Sequence, residues 1–487
     1  MDTTNFEDIR NEWIEQGQGH VFNWFDKLSN EEKLNFENDI RKINVKEVNK
    51  DYKNVLLNKD EQKIMKYEHF ENVMTLNKIK EQDKKKWEDI GYELISKGEV
   101  AVLLLAGGQA TRLGTTFPKG FYDVGLPSKK SLFQLQAERI YRLQQLVSER
   151  YNGSYDQDSK PIQWYIMTSE ATHSETIKFF ENKNYFGLKK SAFFFFSQAM
   201  IPCITPEDGK IISESGSKLS LSPNGNGGLF KALSTSGAID DMRKKGIKYV
   251  TQYCVDNILI NMADPVFVGY MHDQSADCGA KVVSKSDPKE PVGVMALNGD
   301  GKPFVLEYSE IDEQSKFKKD QNGQLVFNYA HICINAFSFD FLDRIAKNHL
   351  DHLKYHVAFK KIPSAHPISG ERQSPSSPNG WKLEKFIFDV FPFSKKMVCL
   401  EIERSKEFSP LKNCGGMNLP DSPETCLRDI SNLHKSFIEN SGGKIDSSNS
   451  TICEVSPLVS LNGENLKNFV NDKTFILPIE INQNLNN

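Results

Sequence analysis

The sequence predicts an α/β fold with a mixed, mostly parallel central sheet, and two patterns in its 487 residues carry this prediction. From Val100 to about Asp389, short apolar runs alternate with stretches of helical periodicity, as they do in a sheet covered by helices. The run from Val100 to Ala106 is continuously apolar rather than alternating, which is typical of a parallel strand buried on both faces.

Further strands are expected in the same region. The phenylalanine tetrad among them is expected to be a buried central strand rather than a set of rings that stack on a ligand. The four runs are Trp164–Met167, Phe193–Phe196, Tyr249–Val255 and Ala280–Val283.

Changes in composition divide the chain into three predicted parts. Residues 1–98 are rich in Glu, Lys, Asp and Asn with apolar residues at helical intervals, which predicts a helical N-terminal region that serves packing. Residues 99–395 form the predicted α/β domain, in which the Pro/Ser/Gly-rich segment 364–380 is expected to be a loop. Residues 396–487 are expected to form a small C-terminal α/β domain, with strands in VCLEIER and FILPIEI.

The overall composition excludes several classes of protein. The net charge of −4 gives no basic excess for nucleic-acid binding, and no apolar stretch is long enough to span a membrane. The N-terminal sequence MDTTNFEDIRNEW lacks the layout of a signal peptide, and the eight cysteines contain no Cys-x-x-Cys pair. We therefore expect a cytoplasmic protein in which residues such as Cys254 and Cys333 are reduced core thiols.

A turn rich in glycine follows the first strand and indicates a polyphosphate site. Gly107 and Gly108 are expected to turn the backbone sharply and to bring its N–H groups close to a ligand. Arg112 and Lys119 then supply cations for the phosphates. The spacing matches neither a Walker A loop nor the Gly-x-Gly-x-x-Gly dinucleotide motif.

The same loop, with Thr111-Arg112-Leu113 and Pro118-Lys119, resembles the signature of sugar-nucleotide pyrophosphorylases. The longer string FPKGFYDVGLPSKKSLFQLQAERI (residues 117–140) resembles the eukaryotic UDP-N-acetylglucosamine pyrophosphorylase family. The resemblance implies a Rossmann-like nucleotidyltransferase fold and transfer of uridylyl from UTP to N-acetylglucosamine 1-phosphate. It also implies Mg²⁺, with Mn²⁺ as an alternative. Ala110 stands where the family usually has glycine.

By the same resemblance, two further segments contact the nucleoside. Gln198, in a Gln-x-x-x-Pro segment, would face the uracil edge, since an amide can donate and accept as the imide does. Gly225 and Asn226 match the family's Pro-x-Gly-Asn-Gly-Gly-Leu segment, and Asn226 would also contact the sugar. The nucleotide-binding residues implied by the family are Leu105, Ala106, Gly107, Gly108, Gln198, Gly225 and Asn226.

The remaining site residues follow from three more matches. Asp256, after the apolar run Tyr249–Val255, would bind the metal, since Mg²⁺ takes one or two carboxylates together with phosphate oxygens. Gly293 and Glu307 would bind the sugar, and His331 stands where the family more commonly has asparagine. Lys412, in Phe-Ser-Pro-Leu-Lys-Asn, would reach a phosphate, so the predicted catalytic residues are Arg112, Lys119 and Lys412.

Two alternatives stay open at this point. One is the same reaction with glucose 1-phosphate or N-acetylgalactosamine 1-phosphate, because His331 departs from the N-acetyl-binding segment of the family. The other is a non-catalytic regulator that binds a sugar nucleotide, which the presence of all the cations and the metal carboxylate disfavours. Small-molecule substrates are the only partners expected, and the oligomeric state does not follow from the sequence.

Overall fold

The structure is a computed structural model that describes residues 5–61, 66–416 and 419–484. The chain forms two compact units. The smaller unit takes Met1–Lys66, Gln198–Leu229 and Leu350–Asp389, and the larger takes Tyr67–Ser197, Phe230–His349 and Val390–Asn487. Among the described residues, no helix is both long and apolar enough to cross a membrane.

The helices, apart from single 3₁₀ turns, are α1 (Phe6–Glu15), α2 (Asn30–Arg41), α3 (Val45–Glu61), α4 (Glu81–Ser96), α5 (Leu132–Arg150), α6 (His173–Asn182), α7 (Leu229–Thr235), α8 (Ala238–Lys244), α9 (Pro265–Asp273), α10 (Glu313–Phe317), α11 (Phe339–Asn348), α12 (Arg404–Glu407), α13 (Pro423–Asn440) and α14 (Lys467–Val470). The strands are β1 (Tyr67–His69), β2 (Val73–Thr75), β3 (Val100–Leu105), β4 (Gln163–Thr168), β5 (Phe193–Ser197), β6 (Met200–Pro202), β7 (Ser213–Ser215), β8 (Lys218–Leu219), β9 (Leu221–Pro223), β10 (Tyr249–Cys254), β11 (Cys278–Ser284), β12 (Val294–Asn298), β13 (Pro303–Leu306), β14 (Tyr329–Ser338), β15 (His356–Lys360), β16 (Ser364–Ala365), β17 (Arg372–Gln373), β18 (Gly380–Glu384), β19 (Met397–Glu401), β20 (Lys444–Asp446), β21 (Cys453–Val455), β22 (Thr474–Ile476) and β23 (Ile479–Ile481).

The larger unit is built on an 11-stranded sheet whose main order is β2-β19-β11-β14-β10-β3-β4-β5. Neighbours along this path are parallel except at β14, which is antiparallel to both β10 and β11. The predicted mixed, mostly parallel sheet is therefore confirmed. Every residue of β3 is buried, as its continuous apolar run requires, and the strand lies in the main core of this unit.

The smaller unit joins the N-terminal helices to two later segments of the chain. Strand β6 pairs with β9, and β15 pairs with β18. Trp13 and Phe36, from the N-terminal helices, share a core with Ile204 and Trp381. The packing role predicted for the N-terminal helices holds within this unit.

The predicted domain boundaries do not coincide with those of the compact units. Residues 67–98 contribute β1, β2 and α4 to the larger unit, because their extended segments pair with β12 and β19. Strand β19 carries the sequence predicted for the C-terminal domain, yet it pairs with β11 and β2 in the central sheet. Local apolar content identified this strand correctly but could not identify its pairing partner.

One prediction about a single strand was wrong. Strand β5 lies at the edge of the sheet and is largely half-buried, because only β4 pairs with it along the main path. The strand structure predicted in FILPIEI is confirmed: residues 475–481 include most of β22 and all of β23, which pair with β20 and β21. The remaining predicted strands form β4, β10 and β11, and residues 364–380 are a loop apart from the short strands β16 and β17 and the first residue of β18.

Candidate functional site

The loop after β3 closes on itself through its own backbone. The N–H of Lys119 donates to the carbonyl of Gly108 at 3.1 Å, and the N–H of Ala110 donates to Phe117 at 3.0 Å. Gly114 ends the 3₁₀ turn Thr111–Leu113 with a left-handed φ of 79°, a conformation that favours glycine. The closed loop thus fixes Lys119 at the C-terminal end of the parallel strands.

The second glycine of the Gly-Gly pair does not serve the turn in the way expected. Gly108 does not adopt a left-handed φ, and a Cβ added to it would meet no atom within 4 Å. The open space beside its exposed backbone supports the other expected role, close approach of a ligand. Ala110, where the family usually has glycine, is buried with an ordinary φ of −83°, so its side chain is accommodated.

Arg112 lies on the 3₁₀ turn Thr111–Leu113 and is exposed. Among the described residues it takes part in no ion pair with an acidic side chain. Most arginines of the larger unit, by contrast, form ion pairs with acidic side chains. Arg344, for example, lies 2.8 Å from Asp277. An exposed guanidinium without an acidic partner among the described residues suits an arginine that binds an anion.

Lys119 lies against the predicted metal ligand. Its Nζ donates to the carbonyl oxygen of Leu411 at 3.0 Å and lies 3.8 Å from Oδ2 of Asp256. Both side chains are only partly exposed, at 16% and 18%. Asp256 follows β10, as predicted, and β10 is parallel to β3. The parallel pairing brings the ends of the two strands together, and with them this cation and this carboxylate.

Lys412 belongs to the same cluster, because its segment pairs with the residues around Asp256. The N–H of Leu411 donates to the backbone carbonyl of Asp256 at 2.9 Å. The side chain of Asn257 donates to the carbonyl of Glu407 at 2.7 Å and accepts from the N–H of Ser409 at 3.0 Å. Lys412 itself is exposed at the end of this segment.

Sequence reasoning missed Asp421, which lies beside Lys412. Its Oδ2 lies 3.7 Å from the Lys412 Nζ, and its carbonyl accepts from the N–H of Lys412 at 2.7 Å. Burial raises the pKa of Asp421; Lys412 opposes this effect and Asp256 adds to it. No sequence motif indicates Asp421, because its position beside Lys412 depends on how the chain folds back after residue 412.

A buried ionic triad supports the segment that carries Lys412. Lys281, on β11, is fully buried; its Nζ lies 2.7 Å from Oδ2 of Asp264 and also contacts Glu407. Burial alone would lower the pKa of Lys281, but the two carboxylates raise it, so the side chain is a cation. This triad was also missed, because a lysine within an apolar strand carries no signal of its partners.

Three of the four residues predicted to bind the sugar, Gly293, Glu307 and His331, come together in the larger unit, whereas the fourth, Asn226, belongs to the smaller unit. The N–H of His331 donates to the carbonyl of Gly293 at 2.9 Å. A Cβ added to Gly293 would lie 2.8 Å from Oε1 of Glu307, so the carboxylate approaches this glycine closely. Glu307 directly follows the end of β13.

His331 is buried in a polar network of the sheet. Its Nε2 lies 2.9 Å from Oδ1 of Asn335, whose Nδ2 donates to Gln252 at 2.6 Å. Burial lowers the pKa of His331 to about 4, although the hydrogen bond to Asn335 opposes the shift. The ring is therefore neutral at physiological pH, and its Nε2 carries the proton that Asn335 accepts.

The predicted nucleoside residues lie in the smaller unit. Gly225 has a left-handed φ of 69°, and its Cβ position is blocked by the backbone of Lys385, so only glycine fits. Oδ1 of Asn226 accepts from the N–H of Ile387 at 2.9 Å, which fixes the orientation of the side chain. The buried Gln198 has its Oε1 3.4 Å from a Cβ added to Gly228. The structure thus brings Gln198, Gly225 and Asn226 together, and Lys385 is a supporting residue that sequence reasoning missed.

The donor set around Asp256 fits a metal that is held mainly by its substrate. Among the described residues, no three side chains of His, Cys, Asp or Glu form a preformed metal site. One partly exposed carboxylate at the end of a strand suits Mg²⁺, which keeps several waters and takes phosphate oxygens as ligands.

The chain is similar over most of its length to proteins that are already known. Residues 42–480 match the family described as UTP–glucose-1-phosphate uridylyltransferase. The chain is 47% identical to UDP-N-acetylhexosamine pyrophosphorylase-like protein 1 of Xenopus tropicalis over 404 residues, 80% of this chain and 77% of that protein. It is 41% identical to UDP-N-acetylglucosamine diphosphorylase 2 of Arabidopsis thaliana over 472 residues, 96% of this chain and 92% of that one. The crystal structure of the Trypanosoma brucei uridine diphosphate N-acetylglucosamine pyrophosphorylase in complex with inhibitor superposes with a TM-score of 0.84 at 30% identity, covering 96% of this chain and 95% of that chain.

Proposed function

Because the chain belongs to the UTP–glucose-1-phosphate uridylyltransferase family, we propose that it transfers uridylyl from UTP to N-acetylglucosamine 1-phosphate, giving UDP-N-acetylglucosamine and pyrophosphate. It is an enzyme, a nucleotidyltransferase. The sugar is supported by relatives that are named for N-acetylglucosamine and match most of this chain.

The reaction needs no protein nucleophile, because the phosphate oxygen of the sugar attacks the α-phosphorus of UTP in line. The barrier is the repulsion between two anionic substrates. One pair of unit charges about 4 Å apart costs about 4 kcal/mol at an effective dielectric near 20, and several such pairs meet in this reaction. The protein therefore contributes positioning and positive charge.

Lys119 is the cation proposed for the α-phosphate. Its Nζ is held by the carbonyl of Leu411 and lies beside Asp256, so its position is set before the substrate arrives. A preorganised cation needs little rearrangement as charge develops in the transition state. This contact between Lys119 and Asp256 is the observation that carries the proposed mechanism.

Arg112 and Lys412 are proposed for the other phosphates. Arg112 is exposed on a closed loop, and its planar fork suits two-point binding of the departing pyrophosphate. Lys412 lies at the end of a segment that is hydrogen-bonded to the residues around Asp256, and this proximity supports a role for its charge at the same phosphates.

Asp256 is the residue proposed to hold Mg²⁺, with Mn²⁺ as an alternative. The ion would supply charge neutralisation on the phosphates of UTP. Asp256 lies 3.8 Å from the cation of Lys119, so its carboxylate also keeps that lysine oriented.

The nucleoside and the sugar are proposed to bind at the two groups of residues already described. Gln198, Gly225 and Asn226 contact the uridine, and the backbone from Leu105 to Gly108 faces the phosphates. Gly293, Glu307 and His331 contact the sugar, with Glu307 accepting hydrogen bonds from hydroxyl groups. The neutral ring of His331 carries no net charge, which suits an uncharged acetamido group.

The test is a coupled assay of pyrophosphate release with UTP, Mg²⁺ and a panel of hexose 1-phosphates. We expect the highest kcat/KM with N-acetylglucosamine 1-phosphate. A clear preference for glucose 1-phosphate would overturn the sugar assignment and leave the mechanism standing. Cytoplasmic location is proposed from cysteine usage, and fractionation of the source cells with a compartment marker tests it.

A further inference from the structure

We propose that Cys254 and Cys333 form an oxidisable pair, which peroxide closes to a disulfide next to Asp256 and His331 and which a thiol reopens. The loss of transfer on closure rests on the proposed function, whereas the cross-link itself does not. Both residues lie in the larger unit, on neighbouring strands of its sheet.

The two thiols lie close together on adjacent strands. Strands β10 and β14 are antiparallel, and their pairing ends with Gln252 opposite Asn335; Cys254 lies two residues after Gln252, and Cys333 lies two residues before Asn335. Their Sγ atoms lie 3.3 Å apart. A disulfide bond needs about 2.05 Å, so closure requires the two atoms to approach by little more than an ångström.

A bulge in β14 leads to this contact. The register of β14 with β11 shifts between Lys281 and Val282, which leaves Ile332 and Cys333 without a matched partner on β11. Cys333 adopts a left-handed φ of 59°, unusual for a residue other than glycine. The bulge frees the backbone at Cys333 from one ladder, so the strand can adjust locally when the disulfide forms.

Cys254 and Cys333 differ from the other cysteines in their exposure to solvent. Cys254 and Cys333 are half-buried, whereas five cysteines are buried and Cys414 is exposed. All eight cysteines lie in the described part of the chain, and none of them forms a disulfide there. Cys254 and Cys333 are therefore more exposed than the five buried thiols.

The chemistry balances with hydrogen peroxide as the oxidant. One thiol is oxidised by hydrogen peroxide to a sulfenic acid, which releases one water as the O–O bond breaks. The second thiol attacks the sulfenic sulfur, forms the S–S bond and expels the hydroxyl group as a second water. Two thiols lose two electrons and two protons, and the peroxide gains them. A dithiol reductant reverses the closure by exchange.

Closure would disturb two predicted site residues at once. Cys254 lies two residues before Asp256, and Cys333 lies two residues after His331. A shift of about 1 Å at catalytic groups can lower the rate about 100-fold. We expect the oxidised protein to lose at least 10-fold in pyrophosphate release and to recover after treatment with dithiothreitol.

The experiment treats the reduced full-length protein with hydrogen peroxide and follows activity together with peptide mapping by mass spectrometry. A mapped Cys254–Cys333 link that appears with the loss of activity and disappears with dithiothreitol is the expected result. Cys333→Ser and Cys254→Ser should resist the reversible loss. Cys414→Ser, a matched change at the exposed cysteine, should stay as sensitive as the unaltered protein.

Three results would overturn the proposal. One is the absence of the link under conditions that oxidise Cys414. Another is an equal reversible loss of activity in Cys333→Ser. The third is a formed link with unchanged turnover, which refutes control of the site while the proposed reaction stands. Mapping uses the unaltered protein, so it decides the first case even if a serine variant does not fold.

Discussion

The ammonium group of Lys119 lies 3.8 Å from the carboxylate of Asp256, and the two residues follow neighbouring parallel strands. The lysine lies on the loop after β3, and the aspartate lies two residues after the end of β10. Their pairing places the cation proposed for the α-phosphate next to the carboxylate proposed for the metal. Neither residue can be changed without altering the charge that the other experiences.

Removal of the Lys119 charge should lower kcat more than it raises KM for UTP. We expect Lys119→Met to reduce kcat by about 100-fold or more, because one preorganised donor to the transition state is lost. Steady-state kinetics of pyrophosphate release measures both constants. Lys97→Met, at a surface lysine paired with Glu93, is the control and should leave kcat unchanged. A Lys119→Met enzyme with a normal kcat would remove Lys119 from the mechanism.

Arg112 should be required for turnover but not for folding. Its side chain is exposed and takes part in no ion pair within the described residues, so Arg112→Ala should leave the melting temperature unchanged. Turnover should fall about 100-fold, and Arg112→Lys should recover only part of it, since lysine lacks the two-point fork. Arg428→Ala, at a side chain that is 62% exposed, serves as the matched control. Normal turnover in Arg112→Ala would refute the assignment.

His331 should make stability depend on pH in the acid range. The folded-state pKa of about 4 lies below the ordinary value of 6.5, so between these values the unfolded chain binds the additional proton. Stability should therefore fall as the pH is lowered from about 6.5 toward 4, by up to about 3 kcal/mol for this group. Urea unfolding of the protein and of His331→Asn across this range measures the difference.

The difference between the two curves of unfolding free energy against pH gives the contribution of His331 alone, without that of the other histidines. His434 is also buried, with a pKa lowered to about 3 chiefly by burial, but it is present in both proteins. Parallel curves for the protein and His331→Asn would show that the ring is not neutral and buried as the structure has it.

Loss of the buried Lys281 charge should lower the free energy of unfolding far more than loss of an exposed lysine. We expect Lys281→Met to lower the free energy of unfolding by about 3–5 kcal/mol, because Asp264 and Glu407 lose their buried partner. Lys347→Met removes an exposed pair with Asp343 at 2.7 Å and should cost at most about 0.5 kcal/mol. Urea denaturation of both variants makes the comparison, and equal effects would contradict the burial of the triad.

Local sequence patterns predicted those parts of the protein that depend on neighbouring residues. The apolar run of β3 and the loop that carries Arg112 and Lys119 are of this kind, since strand, turn and cations lie within about 20 residues. The predicted end of β10 at Asp256 is of the same kind. The position of Asp256 beside Lys119 also follows once the strands are parallel.

Contacts between residues that are far apart in the sequence could not be predicted in this way. Asp421 reaches Lys412 only after a loop, and Lys281 meets Glu407 from an element 126 residues away. The edge position of β5 and the entry of β19 into the central sheet are decided by pairing partners, which apolar content does not specify.

The smaller unit is assembled from three separated stretches, so the chain passes between the two units five times. No cut in the gene can release either unit as one continuous piece. Removal of residues 1–66 would not delete an independent folding unit. It would strip Trp13 and Phe36 from Ile204 and Trp381 and leave those two side chains in water. Any shortened or domain-swapped version of this protein must therefore keep its first 66 residues or supply a replacement surface for them.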